Sequence, residues 1–344
     1  MYTIFLQDLI YYFSIGLTCM LEVIKQQIMR LLGIVFNVIR GWRLIYMMMN
    51  KFTLLVGNDI NNISPGISWS DLLTNIKEKY KVNSLENGLK PFPMLYEEIF
   101  LGAIKKQHIN ERELKSYISD CVSQIKQNEI HQLIREIPIE NIITTNYDFS
   151  LEGQISTRNT GLIRETTYSI FRRHESEHKT YWHIHGDCLN PSSINLGYEH
   201  YCGQLQKMRD YVVNGTNYSS ETVYKDSLMK RLNQKKGTKL QSWIDLFFTQ
   251  DIHIFGLSLD LVEIDLWWLL TYRARNKYYK RSSFIKNQLF YYTTKKWYSL
   301  SKDKMQLLQA HDVEIIVIDE ADKTKYYKKV LAAVRKRYEL SSRE

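Results

Sequence analysis

Ile142–Asp148, IITTNYD, and Trp182–Gly186, WHIHG, are the stretches that decide the fold. Each is an apolar run that stops abruptly at small, polar or ionisable residues. A run of four to six apolar residues with such an end is the pattern of a strand buried on both faces of a parallel sheet. Working outward, the same pattern recurs at Phe52–Val56 (FTLLV), Asn141–Thr145, Lys179–Ile184, Asp251–Phe255 (DIHIF), Gln288–Tyr292 (QLFYY) and Val313–Asp319 (VEIIVID). Thr166–Ile170 reads as one further short strand. Helical patterns separate the runs: Ser70–Tyr80 with Ser68 or Ser70 as cap, Glu111–Ile134 as one or two helices, Glu263–Arg275, Lys302–Ala310 and Asp322–Tyr338. Alternation of this kind predicts an α/β fold, a doubly wound Rossmann-like parallel sheet of about six strands. The polar, irregular stretch at about 199–248 predicts a helical insert or lid, with NGTNYSS (214–220) as a loop.

The chain has 344 residues, enough for one large domain with an extension. It is 44% hydrophobic and 24% charged, which argues against disorder. The net charge of +9 is scattered, apart from clusters at Arg273–Arg281 and Lys323–Arg337. A nucleic-acid footprint would be a concentrated stripe, so direct nucleic-acid binding is not expected. Cysteines stand at 19, 121, 188 and 202 with no CxxC pair. That spacing does not support a zinc site, no metal is expected, and a reducing cytoplasmic setting is.

Residues 1–49 read differently from the rest. The apolar runs Leu9–Leu21 and Leu31–Ile39 are shorter than the span of about 20 residues that crosses a bilayer. They read as an apolar helical extension used in packing, as peripheral membrane contact through residues 1–46, or as sequence upstream of a natural start at Met47, Met48 or Met49. The domain proper is expected over 50–344.

In a doubly wound sheet the ligand lies beyond the carboxyl ends of the strands. Those ends supply the candidates: Gly57, Asn58, Asp59 and Asn61; Thr145, Asn146, Tyr147 and Asp148; His185, Gly186 and Asp187; Gly256, Ser258 and Asp260. Gly57 permits close approach of backbone to a phosphate. His185 is a candidate general base, because imidazole titrates near neutrality. His183, two residues earlier in the strand, fits a structural role. The Asn146 amide can hold a water or a ribose hydroxyl, or cap a turn. Asp148 can equally cap the next helix or touch a ligand.

Taken together, Gly57–Asn61, Ser68–Leu73 (SWSDLL), TTNYD, HIHG with Gly197 and Tyr201, and GLSL with Asp265 resemble the bacterial sirtuin-like domain. It is the version found in antiphage NAD-depleting systems, such as Thoeris-type effectors and the sirtuin partners of HerA-like ATPases. The resemblance covers about Phe52 to Tyr338. It implies an NAD site in which Asn146 and His185 match the catalytic pair. Gly57, Asn58 and Asp59 match the phosphate-binding turn, Gly256 and Ser258 the strand-end segment at the nucleotide, and Asp265 an acidic residue of that motif. The sequence departs from the family at Asp59, where a glycine is usual; a carboxylate beside a diphosphate is unfavourable unless it points at a ribose. It also lacks the zinc cysteines of the deacetylases. The implied function is cleavage of the nicotinamide–ribose bond of NAD in antiphage defence. The implied control is homo-oligomerisation and a regulatory partner protein encoded nearby. ADP-ribosyl transfer and a non-catalytic NAD-sensing or assembly module are the alternatives.

Overall fold

The computed structural model describes residues 52–63, 68–83, 90–153, 161, 163–218, 223–234, 240–279 and 285–341. The expectations for residues 1–49 lie outside the described residues.

Seven strands form one sheet: β1 (Phe52–Val56), β2 (Asn141–Thr144), β3 (His174–Ser176), β4 (Lys179–His183), β5 (Asp251–Phe255), β6 (Leu289–Thr294) and β7 (Val313–Ile318). Their order is β3-β4-β2-β1-β5-β6-β7. Every pairing is parallel except β3 with β4, a short antiparallel edge. From β1 the chain first builds outward through β2 and β4. It then returns to the other side of β1 with β5 and continues through β6 and β7. The winding direction therefore reverses between β1 and β5, and a parallel sheet opens its ligand crevice at such a point.

Alternation along the strands fills both faces. Leu55, Ile143, Trp182, Ile252, Ile254 and Tyr291 enter one core. Leu54, Val56, Ile142, Tyr181, Phe255 and Phe290 enter the other. The first core is closed by helices Trp243–Thr249 and Ile264–Tyr278, and the second by Glu129–Arg135 and Lys323–Ser341. A third cluster joins helices Trp69–Tyr80, Phe92–Gln107 and Glu111–Val122 to Tyr147, Ile194 and Leu196 of the strand-end loops.

The structure departs from the sequence-based expectations in two places. Residues 166–170 are not a strand. They wrap the Glu165 carboxylate, which accepts the amides of Ile170, Phe171 and Arg172, and the seventh strand lies at His174–Ser176 instead. Helix Phe92–Gln107 was not among the expected helices; Pro91 is its N-cap and Pro93 lies in its first turn, where a missing amide proton costs nothing. Of the one or two helices expected over 111–134 the structure has two, because Asn128 caps a new one through its side chain at Ile130 and His131. The stretch expected as a helical insert at about 199–248 holds the helices Tyr198–Arg209, Leu228–Asn233 and Trp243–Thr249, and its Met208, Tyr211, Leu228 and Trp243 belong to the first core. Its polar members pair internally, with Tyr211 donating to Asp245 at 2.5 Å and Arg231 3.3 Å from the same oxygen.

The crevice floor is the contact of two backbones. Gly57 donates to the Phe255 carbonyl, and the Asp59 amide donates to the Gly256 carbonyl, both at 3.0 Å. A Cβ on Gly57 would lie 2.3 Å from the Gly256 oxygen and 2.6 Å from Leu257 Cα. Backbone cannot yield as a side-chain tip does, so Gly57→Ala is expected to pry β1 from β5. Urea denaturation should show a loss of about 1–3 kcal/mol, the usual cost of overpacking.

Candidate functional site

Two adjoining clefts open beyond the carboxyl ends of the strands. One, of about 290 Å³, is lined among others by Asn58, Thr145, His185, Tyr201 and Glu263. The other, of about 360 Å³, is lined by aromatic side chains of β6, of Trp297 and of the C-terminal helix, including Tyr291, Tyr326 and Tyr327. Asp59, Gly256, Leu257 and Ser258 line both.

His185 follows β4, and its Nε2 lies 2.9 Å from Asp265 Oδ2. A carboxylate acceptor there places the ring proton on Nε2 and leaves the Nδ1 lone pair for a base. Burial alone would lower the His185 pKa. The adjacent Asp265 carboxylate, aided by Glu263, outweighs it and holds the pKa above its ordinary value. The Tyr201 ring packs edge-on against the imidazole at 5.2 Å. Asp265, matched to the nucleotide-contacting motif in the sequence, is thus placed directly behind the histidine.

Asn146 is held by its backbone. Its amide donates to Thr144 Oγ1 at 3.0 Å, and its carbonyl accepts from His183 Nδ1 at 2.7 Å. His183 Nε2 meets Glu152 Oε1 at 2.7 Å, and both side chains are fully buried. Because both neighbours of that ring are acceptors, both nitrogens carry protons, and His183 is an imidazolium. Burial opposes that charge, but the Glu152 carboxylate prevails and raises the pKa to about 9. The Asn146 side chain is a different matter. Its carboxamide is buried, yet neither its nitrogen nor its oxygen has a protein partner. Buried amides are nearly always paired, and Asn146 itself lines neither cleft.

The other expected residues divide. Asn58, Asp59, Thr145, Gly256 and Ser258 line the cleft with His185. Gly57 contributes the backbone floor. Asn61 and Asp148 line neither cleft. The Asn61 amide donates to Asn58 Oδ1 and to Asp148 Oδ2, each at 2.8 Å, and its oxygen meets His131 Nε2 at 2.8 Å. Asp148 also accepts the Ser150 amide at 2.9 Å. These two brace the strand-end loops from beneath.

Two residues were missed. Glu152 was invisible because its partner His183 is 31 residues away. Glu263 stands two residues before Asp265, and that spacing across a helix start could have flagged it. It lines the cleft, and burial, with Asp265 and Asp260 adding, raises its pKa to about 8. Among the described residues, no group of three or more ligating side chains is arranged to hold a metal ion, and no helix is long and apolar enough to cross a membrane.

A search of curated proteins finds no match. A family model described as SIR2-like domain matches residues 140–241. The matched segment contains Asn146, Glu152, His183, His185 and Tyr201, and so spans the histidine-bearing half of the cleft. The β1–β5 floor and Asp265 lie outside it. Residues 140–241 therefore support a sirtuin-like domain on a Rossmann-like sheet, and SIR2-like domains use NAD.

Proposed function

We propose that this protein hydrolyses NAD at the nicotinamide–ribose bond. The observation that carries the proposal is the unpartnered buried carboxamide of Asn146, in the loop just beyond β2, the strand beside the one that leads into the His185–Asp265 pair. The pairing of clefts suits a dinucleotide. The aromatic one fits a purine and its ribose, and the one holding His185 fits the nicotinamide riboside half.

In the proposed reaction the bond between ribose C1′ and the nicotinamide nitrogen breaks, and its electron pair neutralises the pyridinium. The ribose passes through an oxocarbenium-like state of the kind met in glycoside hydrolysis. Asn146 positions the attacking water or a ribose hydroxyl. As the water oxygen bonds to C1′, Nδ1 of His185 accepts its proton, and Asp265 stabilises the resulting imidazolium. The products are nicotinamide, ADP-ribose and a proton. NAD depletion in antiphage defence, switched by self-association or by a partner protein, is the biological setting we propose for this chemistry, on the strength of the family resemblance.

The test is incubation of the full chain with NAD, with mass spectrometry of the products. Nicotinamide and ADP-ribose in equal amounts support hydrolysis. ADP-ribose attached to an acceptor redirects the reading to transfer, and NAD recovered intact with and without neighbouring gene products ends it. The pH profile is a second check. A base must be neutral to work, so kcat/KM should climb with pH and level off above an inflection that lies higher than the ordinary histidine value of 6.5. A flat profile across that range removes His185 as the base.

A further inference from the structure

Asp59 stands where a diphosphate-binding turn usually has a glycine, and the structure shows what accompanies it. Its amide is committed to the Gly256 carbonyl. Its carboxylate lies on the boundary of the two clefts and is gripped from the far end of the chain. Lys323 Nζ sits 2.8 Å from Oδ1, and the Tyr327 hydroxyl donates to Oδ2 at 2.5 Å. Tyr327 is buried, and burial together with Asp59 raises its pKa well above the usual tyrosine range, so it remains a donor. Asp59 and Lys323 are by contrast 47% and 41% exposed at their side chains, open to an incoming ligand.

Any dinucleotide that spans both clefts must carry its diphosphate past this boundary. Asp59 repels it there. Among the described residues lining the two clefts, Lys323 is the one lysine or arginine. An ammonium on a flexible four-carbon stem can change partners without moving the backbone. Lys304, close by, is instead tied to the Ser258 carbonyl and to Asp260 at the rim.

We propose that Lys323 is the diphosphate-binding cation of this site, and that Asp59 holds it in reserve until a nucleoside diphosphate arrives. The ammonium passes from Asp59 to a phosphoryl oxygen. The Tyr327 hydroxyl then retains Asp59, whose freed oxygen can accept from a ribose hydroxyl. The proposal rests on the reading of the two clefts as a dinucleotide site, but it does not require that NAD be cleaved.

The experiment measures dissociation constants of ADP and of adenosine for the full chain by calorimetry, so that the difference isolates the diphosphate. Lys323→Gln should weaken ADP about tenfold, the scale of a charge-assisted hydrogen bond partly screened by water. It should leave adenosine unchanged. Asp59→Asn should tighten ADP, because the lysine is released and a repelling charge is gone. Rising salt should weaken ADP in the parent and less so in Lys323→Gln. ADP binding equally well to the parent and to Lys323→Gln overturns the assignment. So does an ADP loss found in Lys304→Gln instead, or a parent that binds no ADP. Nicotinamide release from NAD, assayed separately, decides the hydrolase reading. A chain that binds ADP through Lys323 but leaves NAD whole would retain the one and lose the other.

Discussion

His185→Ala should release nicotinamide from NAD about 10²–10⁴-fold more slowly than the parent, the contribution expected of a positioned general base. The loss should fall on kcat far more than on KM. In the proposed reaction the imidazole acts on the proton of the nucleophile, whereas most of the proposed dinucleotide surface would lie elsewhere along the two clefts. The substitution also leaves Asp265 buried without its partner. Thermal unfolding of the variant should accordingly be measured beside its kinetics, with His185→Gln as the variant that can still donate to Asp265. A His185→Gln protein that folds like the parent yet is slowed to a similar degree isolates the chemical role. Parental turnover in both variants would dismiss His185 as the base.

Glu152→Gln should be the most destabilising single change in the site, at about 3–5 kcal/mol, because removing one partner of a buried ion pair strands the other. Glu152 and His183 are both fully buried at 2.7 Å. The sign of the pH dependence follows from the histidine. Its folded pKa is raised from 6.5 to about 9, so the pair's contribution is complete below 6.5 and is lost as pH rises through about 9. Urea denaturation across that window should show the parent losing stability from this source, while Glu152→Gln stays nearly level. A variant as stable as the parent at low pH would show that the pair contributes nothing. Because the same imidazolium donates to the Asn146 carbonyl, the variant should also lose activity under conditions where it remains folded.

The parallel strands were legible in the sequence for a plain physical reason. Strands covered on both faces must be apolar throughout, and the chain turns polar where they end. That is why the ends of IITTNYD and WHIHG are expected at the crevice from the sequence alone. The polar edge strand His174–Ser176, only three residues long, carries no such signal. Neither does a helix with one proline as its N-cap and another in its first turn. At the site, residues that follow a strand were found, and so was Asp265, but which distant side chain each one meets was not. Asp265 lies 80 residues from His185, and Lys323 lies 264 from Asp59. The strand rule names the residues at a crevice; it does not say which distant side chain holds each one in place. Asn61 and Asp148 show the converse. They sit at strand ends, but the short helix Asn58–Ile63 and the turn after β2 direct them at each other, beneath the crevice.

The position of β1 in the middle of the sheet also governs when the crevice can exist. Thr53 of β1 hydrogen-bonds Gln250, just before β5, across 197 residues of chain. Among the described strands the first to leave the ribosome therefore waits for the intervening 197 residues before its second neighbour arrives. The aromatic cleft waits longer still, for the helix that begins at Lys323. Pairing of strands so far apart is slow, and it leaves apolar edges uncovered in the interval. A chain whose synthesis stops before β5 has TTNYD and HIHG but no crevice floor. Such fragments should be inert toward nucleotides and prone to aggregate, so that any activity of this cleft is confined to molecules whose translation has passed helix Lys323–Ser341.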